Sequence, residues 1–266
     1  MNTSSDVEAF HSATPIHKHG TCDNCVKTRR CEKFDLKSCS RCLKATYCSS
    51  ECQKAHWKHH KAACAQAAKD RRDLEESLKS EGRVIFPHAY ADFVKWCDYY
   101  ATPMKNCTLA ALNLPQNPHD EKNGLLNIVL SYKDDWASRP SHKRFTVELV
   151  ALPRRSDAGK FPDGMVQTVV RTLDSPPMAA AVARGEIEYG NNFYGTSIYM
   201  VMGSFRLPNS EEPLGVALFQ KAFSISKEAA RARTNPLWEM LFRDIVLKGT
   251  KMRFCCGKIE SDVPGS

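Results

Sequence analysis

Eight cysteines crowd between residues 22 and 64 of a 266-residue chain that has only twelve. They fall as Cys22-x-x-Cys25, Cys39-x-x-Cys42 and Cys48-x-x-x-Cys52, and the segment closes on His60-x-x-x-Cys64, with Cys31 standing apart. Such a cluster is either a disulfide framework or a set of metal ligands, and the compartment separates the two. The first residues, Met1 to Glu8, carry neither the basic nor the apolar region of a secretory signal. The longest apolar stretches, Ile198 to Met202 and Gly215 to Phe219, fall far short of the ~20 residues that span a bilayer. The chain is therefore expected to be intracellular, in the nucleus or the cytoplasm, with no membrane partner. Thiols stay reduced there and hold metal.

Zinc takes four ligands from thiolate and imidazole, and a two-residue gap lets one tight turn aim two sulfurs at one ion. Four ligand pairs thus supply two closed sites, and two Zn2+ are the expected cofactors. With four protein ligands per ion no coordination position is left for a reacting water, so the expected role is structural. Ser50 reads as an N-cap with Gln53 at the capping-box position, opening an alanine- and lysine-rich helix. On that helix His60 and Cys64 share a face one turn apart. His56 lies on the same stripe and His59 is rotated away, and the spacing favours His60. Spacing alone allows the four pairs to be shared consecutively or interleaved.

The string from Tyr47 through Cys48-Ser49-Ser50-Glu51-Cys52-Gln53-Lys54-Ala55-His56-Trp57 to His60 and Cys64, with its two upstream Cys-x-x-Cys pairs, resembles a MYND-type zinc finger. The resemblance covers residues 22–64. It implies interleaving, with Cys22, Cys25, Cys48 and Cys52 on one zinc and Cys39, Cys42, His60 and Cys64 on the other. It also implies a protein-protein interaction adaptor that binds short, often proline-rich peptide motifs, with transcriptional regulation as a setting. Gln53 and Trp57 then belong near the peptide groove, with Tyr47 as a further aromatic. The residues themselves equally allow Trp57 and Tyr47 to fill the finger's small core. Two features depart from the family pattern: thirteen residues separate Cys25 from Cys39, and they include Cys31, which reads as a free thiol.

The formal net charge of +8 prompts an alternative, a basic nucleic-acid-associated protein. Between Lys18 and Arg72 there are fourteen Lys or Arg against five Asp or Glu. Zinc-bound thiolates and their ions lower that surplus of nine to about six. Weak, non-specific attraction to phosphate is consistent with this, but no base-reading motif accompanies it. An enzyme, such as a SET-type lysine methyltransferase, is a lesser reading, because no Asn-His dipeptide follows the finger. No Gly-x-Ser-x-Gly elbow or phosphate-cradling glycine loop occurs either. No catalytic residues are expected.

The expected fold is a small two-zinc finger with a C-terminal helix, followed by an α+β domain. Residues 1–17 read as a disordered leader, 18–68 as the finger, 69–83 as a helical linker that holds the finger away like a stalk and stops at Gly82, and 84–266 as the α+β domain. In that domain helices are expected over Ala89 to Tyr100, from Thr102-Pro103 to Asn113, after Pro176-Pro177, and from Asn235-Pro236 to Gly249. Strands are expected at Leu125 to Tyr132, Phe145 to Leu152, Met165 to Leu173 and Ser197 to Phe205. Without zinc the finger is expected to unfold by itself and leave the body folded.

Overall fold

The computed structural model describes residues 22–25, 36–80, 82–207, 210–255 and 258–262. The expected leader at 1–17, Cys31 and Cys256 lie outside the described residues.

The finger contains a short antiparallel hairpin, β1 (Lys37–Ser38) and β2 (Thr46–Tyr47), followed by helix α1 (Ser50–Ser77). Ser49, not Ser50, caps the helix, its hydroxyl accepting the Cys52 amide at 3.2 Å. The cap one residue earlier places Cys52 at the third position and removes Gln53 from the capping box. Helix α1 is rich in Ala, Lys, Glu and Arg, all strong helix formers. Its buried residues His60, Cys64, Ala67 and Leu74 fall on one stripe.

The helix stops at Ser77, short of Gly82, and the chain folds back through the two-residue strands β3 (Lys79–Ser80) and β4 (Arg83–Val84). Nor is this segment a stalk. Leu74 and Leu78 are 2% and 1% exposed and belong to the main core of the body. Each buried leucine contributes about 2 kcal/mol relative to an exposed one, which favours docking over extension.

Helices α2 (Ala89–Tyr99) and α3 (Ala101–Leu112) follow directly, with Phe93, Trp96, Tyr100 and Met104 wholly buried at helical spacing. Four strands then form a mixed sheet in the order β6-β5-β7-β8: β5 (Leu126–Tyr132), β6 (Phe145–Ala151), β7 (Phe193–Phe205) and β8 (Gly215–Ser226). Strand β5 pairs antiparallel with β6 and parallel with β7, and β7 pairs antiparallel with β8. Alternate residues on β5 face the main core, and the residue just before the strand faces a second one. Leu126, Ile128, Leu130 and Tyr132 face the main core with α2 and α3, and Leu125 faces a smaller cluster with Val169, Met178 and Ile198.

That smaller cluster overturns one expectation. Residues Met165 to Leu173 are helical, within α4 (Asp163–Leu173), and not a strand. The β-branched content of Val166, Thr168, Val169 and Val170 favours a strand, but the residues that pack inward are Val169, Thr172 and Leu173, the helical period. Helix α5 (Pro176–Tyr189), capped by the Ser175 hydroxyl, completes the layer on that face. Two more helices, α6 (Lys227–Arg231) and α7 (Trp238–Lys248), and a terminal hairpin, β9 (Lys251–Cys255) and β10 (Lys258–Asp262), end the described chain. Strand β8 was not anticipated.

Each edge strand of the sheet is capped at one place by a cation. On β6, the Arg243 guanidinium donates to the carbonyls of Val147 and Glu148. On β8, the cation comes from the finger: Lys44 Nζ donates to the Leu218 carbonyl at 3.0 Å and lies 5.9 Å from the Phe219 ring centre. Capped edges resist pairing with another strand.

Candidate metal centres and the finger surface

The ligand side chains gather in two sets, Cys22, Cys25, Cys48 and Cys52, and Cys39, Cys42, His60 and Cys64. Within each set the donor atoms lie within 4.8 Å of one another. This is the interleaved order, and helix geometry accounts for it. Cys52 opens α1, whereas His60 sits eight residues further on, roughly 12 Å along the axis, so the two cannot serve one ion. The first turn is then placed by β2: the Asp23 amide donates to Thr46 O at 2.8 Å, and the Thr46 amide returns to Asp23 Oδ2 at 2.7 Å. That pairing sets Cys22 and Cys25 beside Cys48. The second turn is closed by the Leu43 amide donating to Cys39 O and the Cys39 amide to Ala45 O.

The donor sets fit zinc. Bonds of about 2.3 Å from a tetrahedral zinc place sulfurs about 3.8 Å apart. The observed separations are 3.6 Å for Cys25 to Cys48, 3.4 Å for Cys48 to Cys52 and 3.8 Å for Cys39 to Cys64, with Cys42 Sγ 3.5 Å from His60 Nε2. None of these seven cysteines is joined in a disulfide, nor are Cys97 and Cys107.

Electrostatics point the same way. At Cys39 burial pushes the thiol up, but the Cys42 amide, the His60 ring and the Arg41 amide outweigh it and hold it at about 6. Burial and the Cys39 sulfur push Cys64 in the same centre up to about 12. Adjacent thiols cannot all ionise in a buried site unless a cation compensates them, and a divalent ion with soft-ligand affinity supplies that.

The two centres differ in exposure. All four ligands of the histidine-containing centre are buried, whereas in the all-cysteine centre Cys25 is exposed and Cys48 and Cys52 are half-buried. Around the histidine-containing centre, His56 stacks on His60 with ring centres 6.0 Å apart, and its Nδ1 lies 3.0 Å from the Tyr47 hydroxyl. His59 is exposed.

Of the residues expected at the peptide surface, Tyr47 is placed elsewhere. It is 2% exposed, packed in the finger's small core with Cys22, Cys39, Cys42 and Cys64, so its ring has no free face. Trp57 is 38% exposed and meets His60 edge-on at 6.1 Å, so one side of the indole packs while another faces outward. Gln53, one turn before it, is half-buried. Sequence reasoning missed the residues that join the finger to the body: Leu43, Lys44 and Tyr90. The available signal was Leu43 itself, a leucine inside a metal-binding turn whose own mini-core does not need it.

Two interleaved four-ligand centres braced by one helix define a closed, structural two-zinc finger. Its type is the MYND finger: the family model of that name matches residues 22–64, and no family is assigned to the rest of the chain. Such fingers are protein-interaction modules. Over 43 residues the chain is 44% identical to "SET domain-containing protein 14" of Caenorhabditis elegans and 46% identical to "Histone-lysine N-methyltransferase ASHR1" of Arabidopsis thaliana. Over 58 residues it is 38% identical to "N-lysine methyltransferase SMYD2" of Gallus gallus. These matches take in 16%, 16% and 21% of this chain and only 9%, 8% and 12% of those proteins. No solved structure matches the chain. No helix among the described residues is long and apolar enough to cross a membrane.

Proposed function

We propose that this chain is a non-catalytic, intracellular adaptor whose zinc-loaded MYND finger binds a short proline-rich peptide motif of a protein partner through Trp57 and Gln53. The observation that carries the reading is Trp57, a large aromatic 38% exposed on the first turns of a helix held by both metal centres. Proline-rich segments dock on exposed aromatic faces because their extended helix is preformed and little entropy is lost. Gln53 supplies an amide one turn away for the peptide's carbonyls, which such a helix leaves unpaired. The methyltransferase names belong to proteins matched over the finger and its immediate flank, so that activity is not carried to this chain.

Amide-shift titration of the zinc-loaded full chain with a proline-rich peptide tests the reading. Saturable shifts centred on Gln53 and Trp57 support it. Their absence, together with salt-sensitive shifts at Lys54, Lys58 and Lys61 on adding nucleic acid, would replace it with the charge-driven alternative.

A further inference from the structure

The two metal centres are unequal in what they hold. We propose that zinc in the buried Cys39, Cys42, His60 and Cys64 centre clamps the finger onto the body and keeps the β8 edge covered, while zinc in the all-cysteine centre has no part in this. The exposed edge of a four-stranded sheet thereby becomes responsive to metal at one of the two sites.

The turn between Cys39 and Cys42 is the part of the finger that enters the body. Immediately after it, Leu43 holds a left-handed backbone, φ 60°, which L residues avoid. That conformation sends Leu43 against the main core, and the next residue, Lys44, reaches the Leu218 carbonyl of β8. From the body side, the Tyr90 hydroxyl donates to the carbonyl of the ligand Cys42 at 3.4 Å. Metal at Cys39 and Cys42 fixes this turn, and with it the aim of Leu43 and Lys44.

The other two ligands of this centre, His60 and Cys64, lie on the helix that goes on without a break to Leu74, beyond which Leu78 also enters the main core. Its approach to β8 is close. A Cβ placed on Gly215 would lie 2.7 Å from Leu74 Cδ1, so helix and strand meet closely there and a side chain at 215 would displace Leu74. The Cys22–Cys25 turn, by contrast, is tied by Asp23 to Thr46 of the finger itself, and the one ligand of the all-cysteine centre on α1, Cys52, sits in its first turn, at the end remote from Leu74.

An uncovered edge strand presents unpaired amides and carbonyls to other chains. The β6 edge is capped by Arg243 from within the body, so its cover does not depend on metal. The β8 cap does, because the residue that supplies it follows directly on a metal-binding turn.

Hydrogen exchange on the full chain, with zinc content measured in parallel, tests this. Three variants are compared: His60→Ala/Cys64→Ala, Cys22→Ala/Cys25→Ala, and Lys44→Met. Local opening free energies set the exchange rates, so the His60/Cys64 variant should exchange about tenfold faster across residues 215–220, and Lys44→Met should do so while keeping its zinc. The Cys22/Cys25 variant should lose zinc and leave residues 215–220 at the original rate. Equal acceleration in both ligand variants, or unchanged exchange in Lys44→Met, overturns the proposal. The lysine variant keeps it testable even if a ligand variant fails to fold.

Discussion

The Lys44 ammonium and the Leu218 carbonyl oxygen are 3.0 Å apart across 174 residues of sequence, and they join a zinc-finger turn to the edge strand of a sheet. Leu43, Leu74 and Leu78 pack in the body's main core, so the finger is anchored there beside the small core around its metal centres. The zinc-loaded full chain is therefore expected to unfold in a single calorimetric transition, and a strong chelator should lower the midpoint of that one transition. Two separated transitions, with only the lower one sensitive to chelator, would restore the picture of an independent finger. Because the ligating thiolates must be deprotonated, zinc is also expected to leave as pH falls, and the midpoint to fall with it.

Asp92 is buried at the junction of α2 and the sheet, where the Tyr132 hydroxyl donates to Oδ2 at 2.5 Å and Arg144 Nη1 donates at 2.6 Å. Burial pushes the Tyr132 hydroxyl well above its ordinary range, so it keeps its proton and stays a donor. Arg144→Ala leaves a carboxylate buried without its counter-ion and is expected to cost about 3 kcal/mol in urea denaturation. A loss below about 0.5 kcal/mol would place this ion pair with the surface pairs that contribute almost nothing.

Glu121 presents the opposite case. Its side chain is fully buried, both carboxylate oxygens lack a hydrogen-bond partner among the described residues, and the His119 ring Nδ1 lies 3.9 Å from Oε1. Burial raises its pKa above the ordinary 4.5. An acid whose pKa is raised on folding binds its proton more tightly in the native state. Stability should thus be full below about pH 4.5 and be lost as pH rises through the folded value. Glu121→Gln removes the charge at nearly constant volume. It should raise the thermal midpoint at pH 7 to 8, with the gain vanishing toward pH 4. A gain independent of pH would show that the charge is not the cause.

The metal ligands were legible in the sequence because each pair is local: two- and three-residue gaps dictate where sulfurs can point, whatever the rest of the chain does. Helices α2, α3 and α7 were legible for a similar reason, since Phe93, Trp96 and Tyr100 keep the period of a helix and Gly249 marks the stop of α7. Strand β8 was not, because Val216 and Leu218 are apolar on its outward face and blur the alternation with Ala217 and Phe219. The docking of the finger left only Leu43 as a trace in the sequence. Lys44, Tyr90 and Leu218 carry no pattern, and only the folded sheet brings them together.

Trp57 separates two roles that the sequence left open. The indole packs on His60 by one edge and leaves 38% of the residue exposed, so truncation removes some packing and most of an outward face. No atom of Trp57 belongs to either donor set. Trp57→Ala is therefore expected to keep both zinc ions and lower stability by about 1 kcal/mol, well under the roughly 3–5 kcal/mol of a fully buried tryptophan. Affinity for a proline-rich peptide should fall about tenfold or more, as for an aromatic anchor at an interface. Zinc content and peptide affinity measured on the same preparation decide it. Loss of zinc would make Trp57 a support of the metal centre, whereas retained zinc with unchanged affinity would move the peptide surface away from this face of the helix.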